Sequence, residues 1–191
     1  MPTVLTIGHS NHQVRDLIKM VEAAGGDLVV DVRSSPYSRY MSQFNREAFA
    51  HSLEEAGLGY RYLGDSLGGR PAIPGATTNG VVDYEKVVTT EFFASGIEAL
   101  ENLMISSTPV LMCAEGEPLD CHRCLLVGRH LHEKGLVVGH IRKDGAIEPH
   151  EQTEKRLVES FFPHPDLLMS PDEMVVSSYR RQNMSAGYKK D

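Results

Sequence analysis

Four short runs, "TVLTIG", "DLVVDV", "PVLMC" and "LVVGHI", are apolar nearly throughout and are separated by longer segments of helical character. A strand with one wet face alternates apolar and polar residues. A near-continuous run rich in Val, Ile and Leu instead reads as a strand covered on both faces, as in a parallel sheet. Between the first two runs, Val14, Leu17, Ile18 and Val21 recur at helical spacing, and Gly25 and Gly26 stop the pattern. Ser10 with Gln13 fits a capping box, and Asn11 is an equally good cap. The opening is therefore a βαβ unit with a right-handed crossover.

The same reading continues along the chain. Asn45 is the expected N-cap of a second helix, with Phe44 and Phe49 placed as a hydrophobic staple and Gly57 at its end. "GYRYL" is a further strand. A helical region from about Tyr84 to Ser106 is expected to be interrupted or bent near Gly96. Asp120 is placed to cap a helix carrying Leu125, Leu126 and Leu131, which stops at Gly135. "KDG" is a turn, and "PHEQTEKRLVESFF" is a last amphipathic helix with Pro149 near its start. Five strands alternating with helices define the α/β class: a single three-layer domain over residues 1–162, with a mainly parallel five-stranded sheet flanked by helices. "GDSLGGRPAIPGATTNG" is too rich in Gly and Pro for regular structure and reads as a functional loop or lid. Residues 163–191 lose the pattern and are expected to be a loosely attached C-terminal tail.

Composition narrows the function. The net charge of -7 over 191 residues argues against a broad nucleic-acid surface but allows a local cationic pocket. No apolar run approaches the ~20 residues of a membrane span, and "MPTVLTIGHS" lacks the marks of a secretion signal. Three cysteines, an odd number, lead to the expectation of a cytoplasmic protein with free thiols.

Parallel sheets bind ligands beyond the carboxyl ends of their strands, and the unusual residues of this chain collect there. Strand one ends in Gly8, His9 and Ser10, strand two in Asp31, Arg33, Ser34 and then Arg39. The next strand leads to Gly68, Gly69 and Arg70, and "VLMC" leads to Cys113 and Glu115. Guanidinium forks at Arg33, Arg39, Arg70 and Arg123 suit phosphate or carboxylate. A helix start after Asp120 adds unpaired N–H groups, and Gly68 and Gly69 permit close backbone approach. The alternative is an internal ion-pair network in which Asp31, Asp65, Glu115 and Asp120 neutralise the arginines.

Glu115, His9 and His122 are the candidates for proton transfer. Cys113 and Cys121 are the thiol candidates. Arg123 and His122 would activate a thiol at a helix start, whereas Glu115 and Glu117 in the same arc would raise its pKa and repel an anion. The alternative is a packed, unreactive thiol. Cys121-x-x-Cys124 has ligand spacing, but the remaining ligands could come only from Cys113 and a histidine such as His122 or His9, so no metal is predicted and cofactors are unassigned. Tyr37, Tyr40, Tyr60 and Tyr62 form a stacking wall for a base or pack in the core. His12, His51, His130, His132 and His164 read as surface or packing residues.

"TIGHS", "DVRSSPYSRY" followed by "FN", "YRYLGDSLGGRP", "MCAEGEPLDCHR" and "GHI" occur in this order, and the series resembles the DUF488 family of α/β proteins from about Thr6 to Ile141. The resemblance implies site positions at Gly8, His9, Ser10, Asp31, Arg33, Pro36, Arg39, Gly68, Gly69, Cys113, Glu115, Cys121, His122 and Arg123. Cys124 and the tail lie outside that pattern. The family has no established reaction, so the resemblance bears on fold and site. The leading expectation is a protein that binds a small phosphorylated or nucleotide-like anion and hydrolyses or transfers it. One alternative is a non-catalytic ligand-sensing or adaptor module, with a homo-oligomer or a tail-held partner. The other is thiol-based sulfur-transfer or redox chemistry.

Overall fold

The apolar runs find one another in a single sheet. A computed structural model of the chain describes residues 3–164 and 168–189. In chain order the elements begin with β1 (Thr3–Gly8), α1 (Val14–Ala23), β2 (Leu28–Asp31), α2 (Arg46–Glu55), β3 (Gly59–Tyr62) and α3 (Gly64–Leu67). A small hairpin, β4 (Thr77–Thr78) and β5 (Val81–Val82), precedes α4 (Tyr84–Val87) and α5 (Glu91–Met104). The second half holds β6 (Pro109–Cys113), α6 (Arg129–Glu133), β7 (Val137–Ile141), β8 (Ile147–Pro149), α7 (His150–Phe161) and α8 (Pro171–Ala186). The sheet order is β3-β2-β6-β1-β7-β8, parallel from β3 to β7, with β8 antiparallel to β7. The mainly parallel α/β fold expected from the sequence is what forms, with six strands in place of five. β8 is the addition: the "KDG" turn folds Ile147 back opposite Ile141, in a strand too short to show a period of its own.

Period-two geometry sends alternate strand residues to opposite faces. Leu5, Ile7, Val29, Val110 and Met112 pack with Leu17 and Val21 of α1 and Phe49 and Leu53 of α2. Val4, Val30, Leu111 and Cys113 pack on the other face with Phe93, Ile97 and Leu100 of α5, Leu125 and Leu126, Leu157 of α7 and Tyr179 of α8. Both faces are covered, which is why the runs are apolar without alternation.

Several local expectations are corrected. α1 starts at Val14 with Gln13 at the N-cap position and no side-chain cap; Ser10, in a left-handed conformation (φ 42°), lies in the turn before it. Asn45 is the N-cap of α2 but does not cap through its side chain; its Oδ1 accepts from the Ser38 N–H. The helical region is interrupted earlier, between α4 and α5, where Thr90 caps Phe93, and α5 continues unbroken past Gly96. Gly96 is there for contact: a Cβ would meet Ser66 Oγ at 2.5 Å. The Gly/Pro-rich stretch holds α3 and the β4–β5 hairpin, turned by Asn79 and Gly80 at φ 51° and 77°, the mirror-image turn that two-residue hairpins favour.

The segment after Pro163 also departs from expectation. Residues 165–167 and 190–191 lie outside the described residues, but Pro171–Ala186 form a capped helix. Ser170 and Glu173 close a reciprocal capping box. Asn183 donates to Val82 O and accepts from the Tyr84 N–H, and Tyr179 is buried. A periodicity reading misses such docking because polar side chains, Asn183 and Tyr179, make the buried contacts.

A buried hydrogen-bonded chain ties α8 to the sheet. Arg123 Nε donates to Thr6 Oγ1 (3.3 Å), and Thr6 Oγ1 lies 2.8 Å from His140 Nδ1. His140 Nε2 reaches His150 Nδ1 (3.0 Å), whose Nε2 reaches Tyr179 OH (3.0 Å). Tyr179 OH donates its one proton to Glu154, so it accepts from His150, His150 accepts from His140 and His140 from Thr6, with both imidazoles neutral. Burial lowers both histidines, His150 to about 3, with His132 and Arg129 adding to the shift. The unfolded chain takes up these protons from pH 6.5 downward while the folded chain does not, so stability is full above 6.5 and falls as pH drops towards 3. Replacing His150 by Gln should flatten that acid limb by up to about 1.4 kcal/mol per pH unit, read from urea unfolding at a series of pH values.

Candidate functional site

The connections leaving β1 and β6 diverge. α1 packs with the residues of one sheet face, whereas the helical segment after β6 packs on the other. Adjacent parallel strands whose connections part in this way open a crevice at their carboxyl ends. Here the ladder runs past the strands themselves, with His9 N–H on Cys113 O (2.8 Å) and Ser10 N–H on Ala114 O (2.9 Å). Gly8 makes the approach possible, since a Cβ would sit 1.8 Å from Glu115 O. A cavity of about 770 Å³ opens above this fork.

One wall is built on a buried ion pair. Arg33 Nε and Nη2 bind the two oxygens of Asp31 at 2.9 and 2.6 Å, and Nη2 also donates to Phe44 O. Tyr60 OH donates to Asp31 Oδ2 (2.8 Å), so the buried carboxylate is well supplied with donors. His9 stacks on Phe44 with centroids 4.4 Å apart. Its Nδ1 donates to Ser10 O (3.0 Å), which leaves Nε2 to accept from Arg33 Nη1 at 3.4 Å. Burial pushes the His9 imidazole down to about 4, outweighing the Ser10 hydrogen bond. Both its nitrogens are engaged by protein, so His9 orients Arg33 rather than standing free as a base.

The floor carries the thiols. Cys113 Sγ and Cys121 Sγ both donate to Glu115 Oε2, at 2.9 and 3.1 Å. His122 Nδ1 faces the same two sulfurs at 3.6 and 3.8 Å, while its Nε2 lies 2.8 Å from Val32 O. A carbonyl only accepts, so Nε2 carries a proton and donates it to Val32 O, and Nδ1 is the ring atom that faces the sulfurs. Glu115 opens towards the cavity, but its Oε2 is set among the sulfurs, and that desolvated position raises the carboxyl above its ordinary range. Burial opposes charge on both thiols. Burial pushes the Cys113 thiol up, with Cys121 and Glu115 adding to the shift.

Glu117 does not repel an anion here as expected. Burial opposes its charge, but Arg142 and Arg156, at 2.7 and 2.8 Å, hold it at about 2 and turn it away from the cavity. Asp120 ends a short 3₁₀ turn, Pro118–Asp120, and does not cap the following helix. That helix begins with a wide π-type turn, Arg123–Gly128, buried on all sides. Cys121 precedes that helix with extended backbone (φ −137°, ψ 139°), which takes its side chain out of helical register with Cys124, so the pair suggested by the C-x-x-C spacing does not converge. The converging pair is Cys113 with Cys121.

The sequence-derived residues divide clearly. His9, Ser10, Arg33, Ser34, Gly69, Arg70, Cys113, Glu115, Cys121 and His122 line the cavity. Gly68 backs it, where a Cβ would meet Gly64 O at 2.2 Å, and Asp31 lies behind Arg33. Arg39 is exposed and is not in the wall. Arg123 is fully buried beneath the floor, donating to Glu115 O (2.5 Å) and Gly116 O (3.0 Å). Asp31 does neutralise Arg33, as the ion-pair alternative expected, but among the described residues no carboxylate pairs with Arg123. Of the tyrosines, Tyr37 lines the cavity, Tyr40 is exposed, and Tyr60 supports Asp31. Sequence reasoning missed Tyr84, Tyr188 and Lys189, all in the wall. They arrive through α4 and the docking of α8, and no local motif marks them.

Fold and site together define an open α/β protein with a polar cavity at the switch point of its sheet. The family model described as "Domain of unknown function DUF488" matches residues 13–129, and the chain belongs to that family. The match is narrower than the motif series: "TIGHS" and "GHI" fall outside it. No curated protein and no solved structure matches the chain.

Arg33→Ala would leave Asp31 charged and buried without its cation, with only the Tyr60 hydroxyl and the residue 33 backbone N–H donating to it. Breaking such a pair costs about 3–5 kcal/mol. The Arg33→Ala/Asp31→Asn double variant should recover part of that loss, and urea unfolding of both variants measures it.

Proposed function

We propose that the cavity binds a small phosphorylated or nucleotide-like anion and that the protein hydrolyses or transfers it. The carrying observation is a concentration of cationic and hydroxyl donors in one cavity of a chain of net charge -7, with Glu115 and Asp120 the acids in the same lining. Arg33, Arg70 and Lys189 line one cavity together with the hydroxyl-bearing Ser10, Ser34, Ser35 and Ser38. Arg33 lines the cavity with its fork fixed by Asp31 and His9, so it needs no further ordering to meet a ligand. Arg70 lies over the Tyr188 ring at 4.6 Å, so the rim pairs a cation with an aromatic surface suited to a base. The volume of about 770 Å³ falls within the usual range for small-molecule sites.

The roles differ from those read in the sequence. Arg33 and Arg70 hold the anion in this reading, and Arg123 and Arg39 do not touch it. Glu115 is the proton-transfer group, because it faces the cavity while both nitrogens of His9 and of His122 are committed to protein contacts.

A thermal unfolding panel of phosphate, sulfate, nucleotides, pyridine dinucleotides and sugar phosphates tests binding. A ligand at 100 times its dissociation constant stabilises by ~2.7 kcal/mol, a rise of roughly 5–10 °C in Tm for a chain of this size. Arg70→Ala, an exposed change, should leave basal Tm nearly unaltered and abolish the ligand shift. A panel without a shift, or a shift that survives Arg70→Ala, refutes the anion reading. Product analysis on any hit separates turnover from binding alone.

A further inference from the structure

Cys113, Glu115, Cys121 and His122 each aim one donor atom at a common point, all four atoms lying within 4.8 Å of one another. A zinc ion with Zn–S of about 2.3 Å and Zn–N of about 2.0 Å holds tetrahedral sulfur and nitrogen about 3.5–3.6 Å apart. Here His122 Nδ1 stands 3.6 Å from Cys113 Sγ and 3.8 Å from Cys121 Sγ. The side chains are therefore already spaced as ligands.

Their surroundings match as well. A metal-bound histidine usually donates its other nitrogen to a carbonyl, which fixes the tautomer; His122 does so to Val32 O at 2.8 Å. The Arg123 N–H donates to Cys121 Sγ at 3.4 Å, a contact that favours thiolate. The Arg123 guanidinium lies buried close by, bonded to carbonyls and a hydroxyl, without a carboxylate partner among the described residues. Two thiolates, one carboxylate and a divalent ion sum to one negative charge, the complement that this cation lacks.

The molecule holds a second trio, Cys124, His140 and His150. Both nitrogens of each of those rings are spent on Thr6, on each other and on Tyr179. No lone pair there converges on an ion.

We propose that Cys113, Cys121 and His122 bind a zinc-class divalent cation, with Glu115 at the fourth, cavity-facing corner as the exchangeable ligand. Binding releases the two thiol protons to solvent and replaces the S–H···O hydrogen bonds by metal–sulfur bonds. Glu115 Oε2, now 2.9 and 3.1 Å from the sulfurs, recedes towards the cavity on which its side chain already opens. A ligand donor entering from the cavity can displace it there, and three protein ligands plus an exchangeable position is the arrangement of catalytic zinc sites. The site rests on the anion reading only for what that fourth corner meets.

The test uses the full chain, reduced with a phosphine and stripped with a chelator that is then removed, titrated with Co²⁺ and back-titrated with Zn²⁺. One ion per chain is expected, with the visible bands of tetrahedral cobalt and a thiolate-to-cobalt charge-transfer band, both abolished by zinc. Cys113→Ser and Cys121→Ser should each weaken or remove the charge-transfer band, and Cys124→Ser should leave it intact. Should the serine variants fail to fold, mass-spectrometric mapping of alkylation on the parent serves instead: zinc should protect Cys113 and Cys121. A folded, reduced parent without the charge-transfer band overturns the proposal. So does a band that survives the Cys113→Ser/Cys121→Ser double variant, or one lost in a folded Cys124→Ser protein. No anion enters this titration, and the anion panel runs on stripped protein too, so each reading can fail alone.

Discussion

The Arg123 guanidinium is the interaction on which the rest of the structure turns. It is fully buried, and its donors are divided between the Glu115 and Gly116 carbonyls and Thr6. Desolvating a guanidinium costs several kcal/mol unless its hydrogens are satisfied, so the loop after β6 is held where those carbonyls point inward. That same loop brings Glu115 between Cys113 and Cys121. One buried cation thus sets the position of the cavity floor from below, without touching whatever the cavity binds.

From Thr6 the constraint continues through His140 and His150 to Tyr179. This chain crosses from the middle of the sheet to the last helix, and it works because each partner is neutral and has one donor to pass on. α8 returns the connection to the site by another path, since the residues that follow it, Tyr188 and Lys189, line the cavity. The C-terminal helix is therefore attached at both ends of one network, one end in the core and one at the rim.

Legibility varied with the range of the interaction. The strands were readable because burial on both faces needs only local apolar content, and β1, β2, β6 and β7 satisfy it. Much of the cavity wall was readable because the residues after those strands are unusual for turns: His9, Arg33, Cys113 and Glu115. Helix starts were less so. Ser10 and Asn45 are good cap residues by type, yet one lies in a left-handed conformation in the turn before its helix and the other is used by Ser38. α8 was missed because its anchors, Tyr179 and Asn183, are polar residues whose partners lie far away in sequence.

By itself the sequence determined the α/β class, the mainly parallel sheet and the edge of that sheet where chemistry-bearing side chains gather, since these follow from periodicity and from what each strand end carries. Only the tertiary structure decided the roles within that edge. Four arginines of equal promise became one fixed wall residue, one rim cation, one exposed side chain and one buried strut. Three cysteines resolved into a facing pair and a remote third, against the spacing that the chain displays. The reason is the extended backbone at Cys121 (φ −137°, ψ 139°), which ends the 3₁₀ turn ahead of the helix and leaves its side chain with Cys113 rather than in register with Cys124. Local pattern specifies elements, but which of their side chains meet is settled by the packing of one element against another.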